Sequence, residues 1–200
     1  LFYEADFPNC MILQMTEQRG RLFGIPEERF DLLDGRVNMI TKMPIRLATL
    51  AALDLGRRRS FWDIGFCTGS VSIEARLQFP HLVITAFEKR PQGKELLDSN
   101  SRRFGAPGIN GVICDFMDAD TNLYPAPDAV FIGGHGGQMK EMLKTINNVL
   151  LPGGVIVFNS VSDESAAAFR QGIESIGRRI TGTTRMAVDE HNPILIMKAE

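Results

Sequence analysis

Cysteine is scarce in this chain. Its 200 residues contain three, Cys10, Cys67 and Cys114, with no Cys-x-x-Cys pair and no spacing that suits a metal ion. No disulfide framework and no metal site are expected, and reduced thiols in a cytoplasmic protein are the simplest reading. Long hydrophobic runs are missing too: no stretch approaches the ~18 apolar residues of a membrane helix, and no secretory signal pattern is present. Charge of one sign is not in excess, since 22 Lys and Arg stand against 24 Asp and Glu for a net charge of -2. That balance argues against a dedicated duplex nucleic-acid binder. There is no internal repeat and no low-complexity tract. An initiating methionine is also lacking. The chain opens on Leu1, which suggests a piece of something longer. What is present is an ordinary globular composition, 44% hydrophobic and 23% charged, at a length that suits one domain or one plus a fragment of another.

The apolar spacing divides the chain into alternating strands and helices. Residues 8–15 (PNCMILQM) read as a short strand and residues 16–38, with Gly20, Gly24, Pro26 and Gly35, as a linker. A helix is expected over 41–55, stopped by Gly56, with Arg57, Arg58 and Arg59 at its carboxyl end, where cations suit the helix dipole. Strands follow at 60–64, 82–88, 111–115, 128–132 and 155–159, with helices between them, and a further helix is expected at 163–177. The end differs in kind, because strands at 180–188 and 193–198 are joined only by a polar turn. Strands alternating with helices predict a parallel sheet covered on both faces, and the terminal hairpin predicts one antiparallel strand. An open parallel sheet binds its ligand at the carboxyl ends of its strands.

Three acids occupy such ends. The first strand runs into Asp63-Ile64-Gly65-Phe66-Cys67-Thr68-Gly69, the second ends at Glu88 and the third at Asp115. Any one of them could be a solvated acid; three in succession form a pattern. A carboxylate at Glu88 can accept both hydroxyls of a ribose, and one at Asp115 can meet the edge of an adenine. A dinucleotide fingerprint would want G-x-G-x-x-G and a pyrophosphate on the helix amino terminus. The loop here offers G-x-C-x-G behind an acid. That acid, Asp63, would repel a pyrophosphate and suits the ammonium of a methionyl group. S-adenosylmethionine is the reading that fits, with NAD second.

The stretches DIGFCTGSVSIEA, FEK, the Cys114-Asp115 pair, PDAVFIGGHGG and LPGG with VFNSV resemble class I methyltransferases. Within that superfamily, GSVSIEA together with PDAVFIGGHGG is similar to the decarboxylating precorrin methyltransferases of cobalamin biosynthesis, over roughly residues 24–198. The resemblance implies a three-layer, Rossmann-like α/β fold, with a mostly parallel seven-stranded sheet and an antiparallel terminal hairpin. It implies S-adenosylmethionine bound by Thr41, Asp63, Gly65, Phe66, Cys67, Thr68, Gly69, Glu88, Asp115 and Phe116. The family usually has glycine at the position of Cys67. Cofactor binding is expected to survive this change if the Cys67 φ is negative.

The implied reaction methylates carbon 15 of a precorrin and removes the acetate carboxyl on carbon 12. Methyl transfer by in-line displacement needs positioning above all, and no Ser-His-Asp arrangement is visible. His135, between two glycine pairs, is the candidate catalytic residue, able to donate to a carboxylate or move a proton. His81 and His191 lie beside turns and read as structural or exposed. Lys42, Arg46, Arg90 and Arg185, with Gly133 and Gly134, are the candidate substrate contacts, since the substrate carries many carboxylates. The implied partners are a corrinoid substrate, with no nucleic acid and no membrane, and further copies of the chain, a tetramer being common in the family. Residues 1–20 resemble the end of an upstream tetrapyrrole methylase domain, leaving 21–200 as the methyltransferase domain. Two other readings stay open: a class I methyltransferase for another substrate such as tRNA adenine, and a nucleotide-binding subunit without catalysis. Against the first, the [DN]PP[FY] motif of many amino-methylating enzymes is absent where Phe131-Ile132-Gly133-Gly134 stands.

Overall fold

The computed structural model describes residues 20–36, 38–188 and 193–200. The expected strand at 8–15 and the turn carrying His191 lie outside these residues. Five helices and seven strands follow a short amino-terminal segment: α1 (Met43–Leu53), β1 (Ser60–Ile64), α2 (Ser70–Gln78), β2 (Val83–Glu88), α3 (Gln92–Phe104), β3 (Ile109–Ile113), β4 (Ala129–Ile132), α4 (Met139–Val149), β5 (Val155–Ser160), α5 (Asp163–Ser175), β6 (Ile180–Met186) and β7 (Ile194–Ala199). They build one seven-stranded sheet in the order β3-β2-β1-β4-β5-β7-β6. β1 is paired in parallel with β2 on one side and β4 on the other, and β7 runs antiparallel to both β5 and β6. The chain therefore leaves β1 toward one edge, returns to β4, and opens a crevice between these two strands at their carboxyl ends.

The burial of β1 explains its composition. All five residues are buried, as expected for a strand covered on both faces, and the faces alternate. Trp62 and Ile64 join a core with Met142, Leu143 and Ile146 of α4 and Phe169 of α5. Phe61 joins Ile45 and Leu50 of α1 and Val71 of α2 on the other face. A third cluster seats Ile25 and Phe30 of the amino-terminal segment against Phe66, Leu97 and Phe104. No helix among the described residues is long and apolar enough to cross a membrane.

Several expected boundaries moved by one or two residues, and two of these shifts have a structural reason or bear on the site. α1 ends at Leu53, because Asp54 takes the left-handed conformation (φ 52°, ψ 46°) that closes the helix, so Gly56 is not the stop. β3 ends at Ile113, two residues before Asp115.

A buried ion pair ties the amino-terminal segment to the sheet layer. Arg46 of α1 and Glu74 of α2 are both fully buried, with Nε 3.1 Å from Oε2. Glu74 also accepts the backbone N–H groups of Gly24 (2.6 Å) and Ile25 (3.2 Å). Arg46 donates from Nη1 to the Thr41 carbonyl at 2.8 Å and from Nη2 to that of Ile25, and its guanidinium lies 5.2 Å from the Phe30 ring centroid. Burial lowers the Arg46 pKa from its ordinary value, and the Glu74 charge acts against that. Removing one partner strands the other charge in the interior. Arg46→Ala is expected to cost about 3–5 kcal/mol of stability in urea unfolding, whereas Arg46→Met with Glu74→Leu should recover much of the loss.

Candidate functional site

The carboxyl ends of β1, β2 and β4 face a cavity of about 770 Å3, within the range of small-molecule sites. Its floor is made by two glycine loops in backbone contact. Gly65 has φ 81°, and a Cβ added there would lie 3.1 Å from the Gly134 nitrogen; one on Gly133 would lie 3.0 Å from the Gly65 carbonyl oxygen. Gly65 and Phe66 both donate N–H groups to the Phe87 carbonyl, at 2.7 and 3.2 Å. These contacts are tighter than a side chain ordinarily makes, and the positive φ of Gly65 favours glycine independently.

Glu88 pins the loop from the side. Its side chain is 2% exposed. Oε2 accepts the Cys67 N–H at 3.0 Å, and Oε1 accepts the Arg90 N–H at 2.9 Å and Nη1 at 3.0 Å. A Cβ on Gly93 would meet the Glu88 Cγ at 2.7 Å, which explains the glycine in the first turn of α3. Asp115 accepts the Met117 N–H at 3.1 Å and caps a short turn. In that turn Phe116 packs edge-on against Phe87, with centroids 5.2 Å apart.

Cys67 departs from expectation. Its φ is 50°, in the left-handed region, not negative as its side chain would favour. Left-handed backbone costs a non-glycine residue about 1–2 kcal/mol, and the Glu88 bond to its N–H holds it there. Burial and the neighbouring Glu88 charge push the thiol up to about 11, so a protonated sulfur lines the cavity.

Most of the expected cofactor residues line this cavity: Thr41, Gly65, Phe66, Cys67, Thr68, Glu88, Asp115 and Phe116 all do so. Thr68 carries a buried hydroxyl oxygen without a hydrogen-bond partner among the described residues. Asp63 and Gly69 are not part of the lining. Asp63 projects to the α2 face of the sheet, where it is fully buried and accepts the Ser72 hydroxyl at 2.6 Å through Oδ2. Its Oδ1 has no hydrogen-bond partner among the described residues. Burial raises its pKa to about 7, with the Ser72 hydrogen bond acting against the shift and the Glu88 charge adding to it.

The expected substrate contacts divide. Lys42, Arg90, Gly133, Gly134 and His135 border the cavity. Arg46 does not: every nitrogen of its guanidinium is used within the protein, by Glu74, Thr41 and Ile25. Arg185 is exposed on β6 and away from the lining, because its neighbour Met186 takes the inward position. His135 has both ring nitrogens engaged. Nδ1 accepts the Gly137 N–H at 3.2 Å, so Nε2 carries the proton and donates to the Ser165 hydroxyl at 3.2 Å. Burial lowers its pKa, which favours this neutral form.

Several lining residues were not foreseen. Lys89 stands at the cavity mouth, with its Nζ 3.5 Å from where a Gly136 Cβ would be. Met186, Val188, Ile194 and Val161 form an apolar wall. β7 is antiparallel, so its first residue lies at the edge where β5 and β6 end; extending the strand-end rule to the terminal hairpin would have found these positions.

The strand order and a ligand crevice at the carboxyl ends of β1 and β4 define a class I methyltransferase. The family model described as a precorrin methyltransferase domain matches residues 33–199, and the chain belongs to that family. It is 38% identical over 128 residues to the cobalt-precorrin-6B C(15)-methyltransferase (decarboxylating) of Salmonella typhimurium, covering 63% of this chain and 64% of that protein. It is 32% identical over 158 residues to a precorrin-6Y C(5,15)-methyltransferase (decarboxylating) from Sinorhizobium, covering 79% of this chain and 38% of that protein. The matches thus span less than two thirds of these relatives' length. Among solved structures, precorrin-6y C5,15-methyltransferase from Geobacter metallireducens GS-15 superposes with a TM-score of 0.80 at 31% identity, covering 89% of this chain and 97% of that one.

The loop and the buried acid each yield a test. Cys67→Gly should raise stability by up to about 1 kcal/mol in urea unfolding, because glycine adopts positive φ without the side-chain penalty. Asp63 binds its proton more tightly folded than unfolded, so its contribution to stability falls as pH rises from about 4 to about 7. Urea unfolding of wild type should therefore weaken from pH 5 to pH 8 relative to Asp63→Asn, which lacks the titration.

Proposed function

We propose that the protein transfers a methyl group from S-adenosylmethionine to carbon 15 of a precorrin and promotes loss of the acetate carboxyl on carbon 12. The observation that carries this reading is the two-sided cavity: polar groups suited to an adenosyl cofactor on the β1–β3 side and an apolar wall on the other, with Lys42 and Lys89 in the lining and without a carboxylate partner among the described residues. Glu88 would accept the ribose hydroxyls, Asp115 would meet the adenine edge, and Gly65 to Thr68 would hold the methionyl end. The free Thr68 hydroxyl and the glycine-floored space support that fit. Asp63, one layer behind the loop, would act on the ammonium from a distance. When bound, the cofactor supplies an electrophilic methyl carbon on a sulfonium.

The chain's task is to orient and enclose. Transfer of that methyl to a nucleophilic ring carbon of the substrate would ask no nucleophile of the protein. Loss of carbon dioxide would leave its electron pair in the conjugated macrocycle, and a proton from solvent would complete the methyl group on carbon 12. His135 would serve by holding the Gly133–Gly137 loop in shape; a hydrogen bond from Nε2 to a substrate carboxylate would require release of Ser165. Among the described residues, Lys42 and Lys89 are the lining cations without a carboxylate partner, since Arg90 is spent on Glu88. They would meet the carboxylates at the edge of the macrocycle, with its face against Val161, Met186 and Ile194.

The test is incubation with S-adenosylmethionine and a precorrin mixture, followed by mass spectrometry for one methyl gained and one carbon dioxide lost. Methylation of tRNA in place of the precorrin would favour the alternative substrate, and binding without turnover a non-catalytic role. Lys89→Met should raise the KM for the precorrin about fivefold, the effect of ~1 kcal/mol from an exposed charge contact, with cofactor affinity unchanged.

A further inference from the structure

Asn100 makes three hydrogen bonds that the proposed chemistry does not use. It sits on α3, fully buried. Its Oδ1 accepts the Asp31 N–H at 2.7 Å, and its Nδ2 donates to the Asp31 carbonyl and to the Thr68 carbonyl, both at 3.0 Å. The amide orientation is fixed by its neighbours, because the reverse placement would set oxygen against two carbonyls and nitrogen against an N–H. Both donors and the acceptor are thereby used. No other side-chain hydrogen bond among the described residues joins the amino-terminal segment to the loop at 65–69.

That segment is a strap. The Asp31 carboxylate also accepts from Ser99 and Arg103 of α3, and the segment is held further at Leu22 by Gln78, at Gly24 and Ile25 by Glu74, at Arg29 by Arg103 and at Thr41 by Arg46. Between these anchors Asn38, Met39 and Ile40 line the cavity. Thr68 lines it too, and its hydroxyl has no partner among the described residues. One buried amide therefore joins a loop that borders the ligand space to a strap that borders it further along the chain.

We propose that Asn100 is a positioning residue that couples the strap to the glycine loop, so that a ligand in the cavity and docking of the strap strengthen each other. The proposal rests on the reading that the cavity binds the adenosyl cofactor. The coupling is reciprocal: a ligand that favours the loop conformation in which the Thr68 carbonyl meets Asn100 also favours the amide orientation that grips Asp31, and a docked strap raises affinity for the ligand. A residue that only supported the fold would lower stability and leave the affinity of the folded molecules unchanged.

The experiment uses S-adenosylhomocysteine as the probe, with calorimetric titration and hydrogen exchange on the whole chain. In wild type, saturating probe should slow exchange at the Asp31, Gly24 and Ile25 amides as well as at 65–69. Asn100→Ala should weaken binding about tenfold and abolish the slowing at Asp31 while retaining it at 65–69. Asn100→Asp keeps the acceptor for the Asp31 N–H, sets a carboxylate against the Thr68 carbonyl, and should weaken binding comparably. Equal affinity in wild type and a folded variant overturns the proposal. So does unchanged exchange at residues 24–31 of wild type with the loop protected, a measurement that stands even if the variants do not fold. Failure of wild type to bind the probe overturns the cofactor reading itself, and the coupling with it.

Discussion

The ligand edge of this molecule depends on β1 being hydrogen-bonded on both sides by parallel strands. Ile64 pairs with Phe87 of β2 and with Ile132 of β4, so the chains leaving β1 and β4 emerge side by side. Backbone then passes close to backbone, which favours glycine at 65 and 133. The chain leaving β2 reaches Glu88 beside the same loop, and its carboxylate can take the Cys67 N–H. Change the register of β1 by one residue and each of these meetings is lost, because every side chain would exchange faces.

Much of this was legible in the sequence, and the misreadings have physical causes. The strand–helix alternation and the terminal hairpin follow from hydrophobic spacing, and most of the strand-end residues border the cavity as expected. Asp63 was misplaced because adjacency to the glycine loop was weighed above strand alternation. The same two-residue period that sends Phe61 toward α1 and α2 sends Asp63 there, beside Ser72. Arg46 illustrates a limit of another kind. Its position near the start of a helix suggested a substrate contact, and nothing local reveals that Glu74, 28 residues on, waits across the helix interface. Long-range pairing of this sort is invisible to periodicity. Cys67 shows that a loop can hold its shape without the usual residue: the Glu88 carboxylate and the surrounding contacts impose a conformation that the local residue disfavours.

The site has an uneven distribution of rigidity. Both oxygens of Glu88 have protein partners, and the glycine loops beside it are packed in backbone contact. On the far side, Val161 is 69% exposed. The first half is organised by the chain's own hydrogen bonds; the second presents apolar surface that is open among the described residues.

The hairpin of β6 and β7 gives this division a further meaning. It is appended at the edge of the sheet, after the elements that build the β1–β3 side are complete, yet it sends Met186 and Ile194 into the same space. The hairpin's share of the lining is thus encoded apart from Gly65, Glu88 and Asp115. Sequence change within residues 180–199 can reshape that part of the wall without disturbing those positions, which gives diversification of the cavity a physical place to begin.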